Sequence, residues 1–74
     1  MRVSYDQEVD AAYITIVDRI EDGEAVQQVI ARSDDPNPSE FILDLDRDGR
    51  LLGVEVLGAS QQLRPETLAL AGGQ

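Results

Sequence analysis

The chain is predicted to fold as a small α+β domain, mainly β. The expected architecture is an antiparallel sheet of four to five strands in meander or hairpin order, with a short C-terminal helix. Three observations predict it. Aliphatic and β-branched residues fall in short runs that tend to alternate with polar ones, the signature of half-buried strands. Turn residues separate the runs at Asp22-Gly23, at Asp34 to Ser39 and at Asp48-Gly49. After Gly58 the two-residue period stops, and Pro65 and Gly72 bracket a short helical stretch.

Arg2 to Tyr5 alternates, with Val3 and Tyr5 on one face. Asp6 to Asp10 is polar and reads as a turn, with Asp6 placed to cap it. Ala12 to Val17 is the second strand, with Ile14 and Ile16 on one face and Tyr13, Thr15 and Val17 on the other. Ala25 to Ala31 is a third, with a less regular pattern. Asp34 to Ser39 contains two prolines, which exclude a helix or a central strand. Phe41 to Asp46 and Leu51 to Leu57 are the fourth and fifth strands.

The last two strands predict their own register. A two- or four-residue loop around Asp48-Gly49 pairs Leu45 with Leu52, Leu43 with Val54 and Phe41 with Val56. All six are apolar and share one face. A three-residue loop would set Phe41 against Glu55 and Asp44 against Leu52, and a one-residue slip inverts every side chain. The even loop is therefore expected, with Asp48-Gly49 as a type I′ turn. Gly53 then lies opposite Asp44, where it permits close packing or a bulge. Beyond Gly58, Ser60 is placed to cap a helical turn, and Pro65 to Ala71 forms a short helix. So short a helix is marginal alone and must dock through Leu63, Leu68 or Leu70.

The whole is one domain, residues 1–74: sheet over 1–57, helical segment over 58–71, frayed tail over 72–74. Composition excludes much chemistry. The chain has no Cys, no His, and six Arg with no Lys. Disulfides, thiolate nucleophiles, cysteine zinc sites, imidazole bases, a P-loop lysine and Schiff-base chemistry are all absent. Fifteen acidic residues give a net charge of -9. That charge opposes direct binding to nucleic acid and to anionic membranes, and favours a basic protein if there is a partner. The opening Met1-Arg2-Val3-Ser4 has no apolar leader and no run is long enough to span a bilayer, so a cytoplasmic location is expected. A core this thin, without disulfide or structural metal, points to self-association, with a homodimer favoured.

One motif carries candidate chemistry. Asp44-Leu45-Asp46-Arg47-Asp48-Gly49, followed by Glu55, matches the calcium-loop pattern, with oxygen ligands at Asp44, Asp46, Asp48 and Glu55. The setting is wrong for an EF-hand, because strand patterns rather than helices flank it. Arg47 and Arg50 are also placed to neutralise the same acids. These four residues are the candidate cation ligands, with a charged hairpin turn as the competing reading. A small hydrolase using paired carboxylates is a further alternative, but it needs a cleft and an acid of raised pKa. No catalytic residue and no cofactor site is assigned.

Two stretches resemble a known family. They are Val3-Ser4-Tyr5-Asp6-Gln7-Glu8-Val9-Asp10-Ala11-Ala12-Tyr13-Ile14 and the segment from Phe41 through Asp44-Leu45-Asp46-Arg47-Asp48-Gly49-Arg50-Leu51-Leu52-Gly53-Val54-Glu55 to Leu57, with Ala59-Ser60 after it. Together they look like the bacterial family called domain of unknown function 2283. The Asp34 to Ser39 loop is longer and richer in proline than the family pattern. The resemblance implies a small, mostly-β protein and brings no established activity or catalytic residues. It implies a hairpin at the calcium-like string. Some members are suspected, from gene neighbourhood, of partnering small toxin-like proteins. The expected function is accordingly a non-catalytic, self-associating interaction module, in a finer version the acidic, antitoxin-like partner of a small basic protein.

Overall fold

The computed structural model describes residues 1–33 and 39–71. Five strands form one antiparallel sheet: β1 (Arg2–Asp6), β2 (Ala11–Thr15), β3 (Gln27–Ser33), β4 (Ser39–Leu45) and β5 (Leu51–Leu57). Their spatial order is β1-β2-β5-β4-β3. The molecule is thus a β1–β2 hairpin and a β3–β4–β5 meander joined where β2 pairs with β5. The helical tail consists of α1 (Ala59–Gln62), α2 (Pro65–Leu68) and the 3-10 turn η1 (Ala69–Ala71).

Alternation assigns the two faces. Val3, Tyr5, Ala12, Ile14, Val54, Val56, Phe41 and Leu43 share one face through the registers Val3↔Ile14, Tyr5↔Ala12, Ala12↔Val56 and Leu43↔Val54. The helical tail lies on this side. Its center is Ala12, Val56 and Ala59, with Tyr5, Ile14, Phe41, Val54, Leu63 and Leu68 packed around them. η1 packs on β1, and α1 packs on β2 and β5. Leu63 and Leu68 dock as expected. Leu70 does not: it is 71% exposed, and the neighbouring Ala71 is buried instead.

The β4–β5 hairpin keeps the expected pairs Phe41↔Val56, Leu43↔Val54 and Asp44↔Gly53. The turn between them differs. The Gly49 amide donates to the Asp46 carbonyl at 2.9 Å, and the Asp46 amide donates to the Arg50 carbonyl at 2.9 Å. Gly49 has φ +79°, whereas Asp10 is the only non-glycine residue of positive φ among those described. Asp48 is therefore not left-handed, and the turn is type I followed by a left-handed glycine rather than type I′. The loop holds three residues, the length that sequence parity rejects. The register survives because Leu45 pairs with Leu51 while Asp44 pairs with Gly53, leaving Leu52 as a bulge. The odd loop shifts the register by one and the bulge shifts it back, so Leu52 is still buried.

β3 begins two residues later than expected and ends two residues later. Every one of its residues is exposed. With neither face buried, the sequence carries no sharp alternation to mark its ends. The proline-rich stretch 34–38 and the tail 72–74 lie outside the described residues; Ser39 already belongs to β4.

Candidate functional site

The open face, away from the helical tail, gathers the polar chemistry. Tyr13 on β2 points to this side, and its hydroxyl donates to Asp44 Oδ2 on β4 at 2.7 Å. Between β2 and β4 runs β5, so the ring must cross that strand. It does so above Gly53. A Cβ at Gly53 would lie 2.6 Å from Cε2 and Cζ of the ring, which leaves room for glycine only. Gln28 on β3 donates to Asp44 Oδ1 at 2.9 Å. A hydrogen-bonded line therefore runs from β2 over β5 to β4 and on to β3. Burial and the adjacent Asp44 carboxylate push the Tyr13 phenol up to about 12, with the Glu55 charge adding to the effect.

A second cluster ties the β1–β2 turn to the tail. Asp10 Oδ1 accepts from the Tyr5 hydroxyl at 2.7 Å and from the Ser60 amide at 2.9 Å. Its Oδ2 accepts from Ser60 Oγ at 2.8 Å, and its carbonyl accepts from the Ala59 amide at 2.9 Å. Ser60 is thus not a helix cap. Left-handed Gly58 occupies that position without a side-chain bond, and Asp10 satisfies the start of α1 from fifty residues away. Asp10 itself sits at φ 53°, a conformation its short polar side chain tolerates better than most. The hydrogen bonds from Tyr5 and Ser60 hold its carboxyl below the ordinary range, and the same bond raises the Tyr5 phenol.

The four candidate cation ligands do not converge. Strands flank Gly49, so the EF-hand setting is absent. Asp44 has both oxygens engaged by Tyr13 and Gln28. Asp46 Oδ1 accepts the Asp48 and Arg50 amides, each at 2.9 Å, and so closes the turn. Glu55 lies along β5 on the open face and Asp48 at the hairpin tip. Among the described residues, no three acidic side chains are grouped to hold a metal. Arg47 and Arg50 form no ion pair among the described residues; the pairs present are Arg19–Glu21 and Arg32–Glu40. Backbone amides, not arginines, hold the Asp46 carboxylate of the turn.

A shallow depression of about 320 Å³ on the open face is lined by Ser4, Asp6, Tyr13 and Glu55 among others. The Tyr13 hydroxyl on this face is already committed to Asp44, and the Tyr5 hydroxyl, on the helix side, to Asp10. The carboxyl of Asp10 moves down, opposite to what a general acid requires.

The site that sequence reasoning missed is the outer strand. The two edges of the sheet are unlike. β1 has five residues, carries Arg2 and Asp6, buries Val3 and is covered by η1. β3 has seven residues, no proline, no bulge and no acidic side chain. Its Val29 is 49% exposed on the helix side of the sheet, and its Ile30 is 51% exposed on the open side. Natural edge strands are usually short, charged, bulged or covered, because an unpaired edge invites another strand. The signal available in the sequence was the lack of any Asp or Glu from Ala25 to Ser33 in a chain of net charge -9.

No helix among the described residues is long and apolar enough to cross a membrane. No curated protein and no solved structure matches the chain. The model of the family described as "Protein of unknown function (DUF2283)" matches residues 2–60. That stretch spans all five strands and the Asp10–Ser60 link, and the chain belongs to this DUF2283 family.

Proposed function

We propose that the chain is a non-catalytic protein-interaction module that self-associates. The observation that carries this reading is β3, an edge strand exposed along its whole length with apolar side chains on both faces. Size supports it. A compact monomer of 8.1 kDa is expected to expose about 4,500 Å². The chain exposes 5410 Å². Its Cα radius of gyration is 12.6 Å, against about 11 Å for a compact domain of this length. The thinnest dimension is 19 Å, one sheet with a partial second layer. A second copy at β3 gives that exposed strand the neighbour it lacks within the chain. Sedimentation equilibrium tests it: a mass twice that of the chain at micromolar concentration is expected, and the mass of a single chain at high micromolar concentration overturns it.

The acidic charge supports a second, finer reading, in which the module takes a basic protein as its partner. Asp22, Glu24, Asp46 and Asp48 line one depression between the β2–β3 link and the β4–β5 turn. Such a surface attracts a basic partner at long range and loses it with salt. Co-expression with the product of the adjacent gene tests it. A complex that dissociates as salt rises is expected; two separately eluting proteins at low salt overturn it.

A further inference from the structure

We propose that two copies join through β3, edge to edge and antiparallel, with Ile30 on the two-fold axis, making one continuous ten-stranded sheet. This rests on the self-association reading and names its surface and register. Four observations lead to it.

The first is that β3 is exposed on both faces. Val29 faces the helix side with Phe41 and Leu43, and Ile30 faces the open side beside its partner Ile42. A partner stacked on either face would cover one of these residues and leave the other in water. Only a strand laid along the edge covers both, because its own side chains alternate in the same way.

The second is charge. Two chains of net charge -9 repel each other, so contact must occur where acids are fewest. β3 has none, and its one charged residue, Arg32, is already paired with Glu40 at 2.7 Å. A basic partner would find no attraction on this strand; a second copy finds no repulsion.

The third is self-complementarity. An axis at Ile30 pairs all seven residues of the strand: Val29 faces Ala31 of the second copy, Gln28 faces Arg32, and Gln27 faces Ser33. Moving the axis to Val29 or Ala31 shortens the pairing at one end. Because the axis runs perpendicular to the sheet, both helical tails stay on the same side and the apolar positions of the two copies stay in line.

The fourth is the other edge. β1 is shorter, charged and covered by η1, so the chain closes into a pair rather than growing into a fibre.

The chain lacks cysteine, so single cysteines introduced into it report cleanly. Directly opposed residues of an antiparallel pair have Cα atoms about 4.5–5.5 Å apart, within disulfide reach, whereas a two-residue offset exceeds it. Under mild oxidation, Ile30→Cys is expected to give a covalent dimer. Val29→Cys and Ala31→Cys are expected to give little alone but to crosslink when mixed. Ile16→Cys, exposed just past the end of β2, is the control and is expected to form no covalent dimer without reductant. If the wild-type mass is that of a dimer yet neither Ile30→Cys nor the mixture crosslinks above the Ile16→Cys control, edge pairing is overturned while self-association stands. A wild-type mass of one chain overturns both.

Discussion

The two halves of the sheet solve the same problem differently. Around β1, β2 and β5, the chain supplies its own second layer: Ala12 and Val56 are 1% exposed, and Ala59, the first residue of the tail, is fully buried against them. Around β3 and the outer part of β4, it supplies none. Leu43 and Leu45 are half-buried, and Val29 and Ile30 lie open. A tail of thirteen described residues is too short to cover five strands, so the sequence spends it on the half that holds the β2–β5 junction. The lesson is that an uncovered half need not be a weak fold. The Tyr13–Asp44–Gln28 line laces it to the covered half across the open face.

The comparison breaks most visibly in the packing. Val56→Ala removes two buried carbons from the covered half and is expected to cost about 2–3 kcal/mol in urea denaturation. Ile30→Ala removes more carbon from the uncovered half. Measured where single chains predominate, it is expected to cost less than about 0.5 kcal/mol. Equal costs would mean that the halves do not differ as described.

Gly53→Ala attacks the lacing. The new methyl displaces the Tyr13 ring and with it the bond to Asp44, for an expected loss of about 2 kcal/mol. In a Tyr13→Ala background the same substitution is expected to cost clearly less, since the ring it strikes has gone. A full cost in both backgrounds would place the constraint on Gly53 in the backbone instead.

Asp46→Ala leaves the Asp48 and Arg50 amides without their acceptor at an exposed turn, with an expected cost of about 1 kcal/mol. Calcium at millimolar concentration is expected to leave the melting temperature of the wild type unchanged, since these oxygens serve the backbone; a rise abolished by Asp46→Ala would reinstate the cation reading.

The smallest effect is in pH. The Tyr13 phenol lies higher in the folded chain than the ordinary value of 10.0. Its contribution is therefore fully present below pH 10 and is lost as pH rises from there toward 12. Tyr13→Phe is expected to be less stable at neutral pH and to show a flatter alkaline decline than wild type. Asp10 gives the opposite sign: its lowered carboxyl contributes above the ordinary carboxylate range, and that contribution is lost as acid titrates it. An acid-side slope unchanged in Asp10→Asn would contradict the link to Ser60.

Much of the β4–β5 hairpin was legible in the sequence, because burial on one face writes a period of two into it. Phe41, Leu43, Val54 and Val56 fixed their register by polarity alone, and Gly53 opposite Asp44 marked a close approach. What parity could not show was an odd loop and a bulge that cancel. The sheet order was equally hidden, since nothing local to β2 says that it pairs with β5 rather than β3. Both hydrogen-bond clusters depend on that order. Tyr13 and Asp44 are 31 residues apart, and Asp10 and Ser60 are 50. The expected bounds of β3 fall two residues early because an edge open on both faces has no buried pattern to read.

The most direct test compares the two edges in one sample. Amide hydrogen exchange followed across a range of protein concentrations reports β1 and β3 side by side. The amides of β3 are expected to slow markedly as concentration rises while those of β1 stay constant. Rates in β3 that are fast and independent of concentration would contradict pairing of that strand with a second copy.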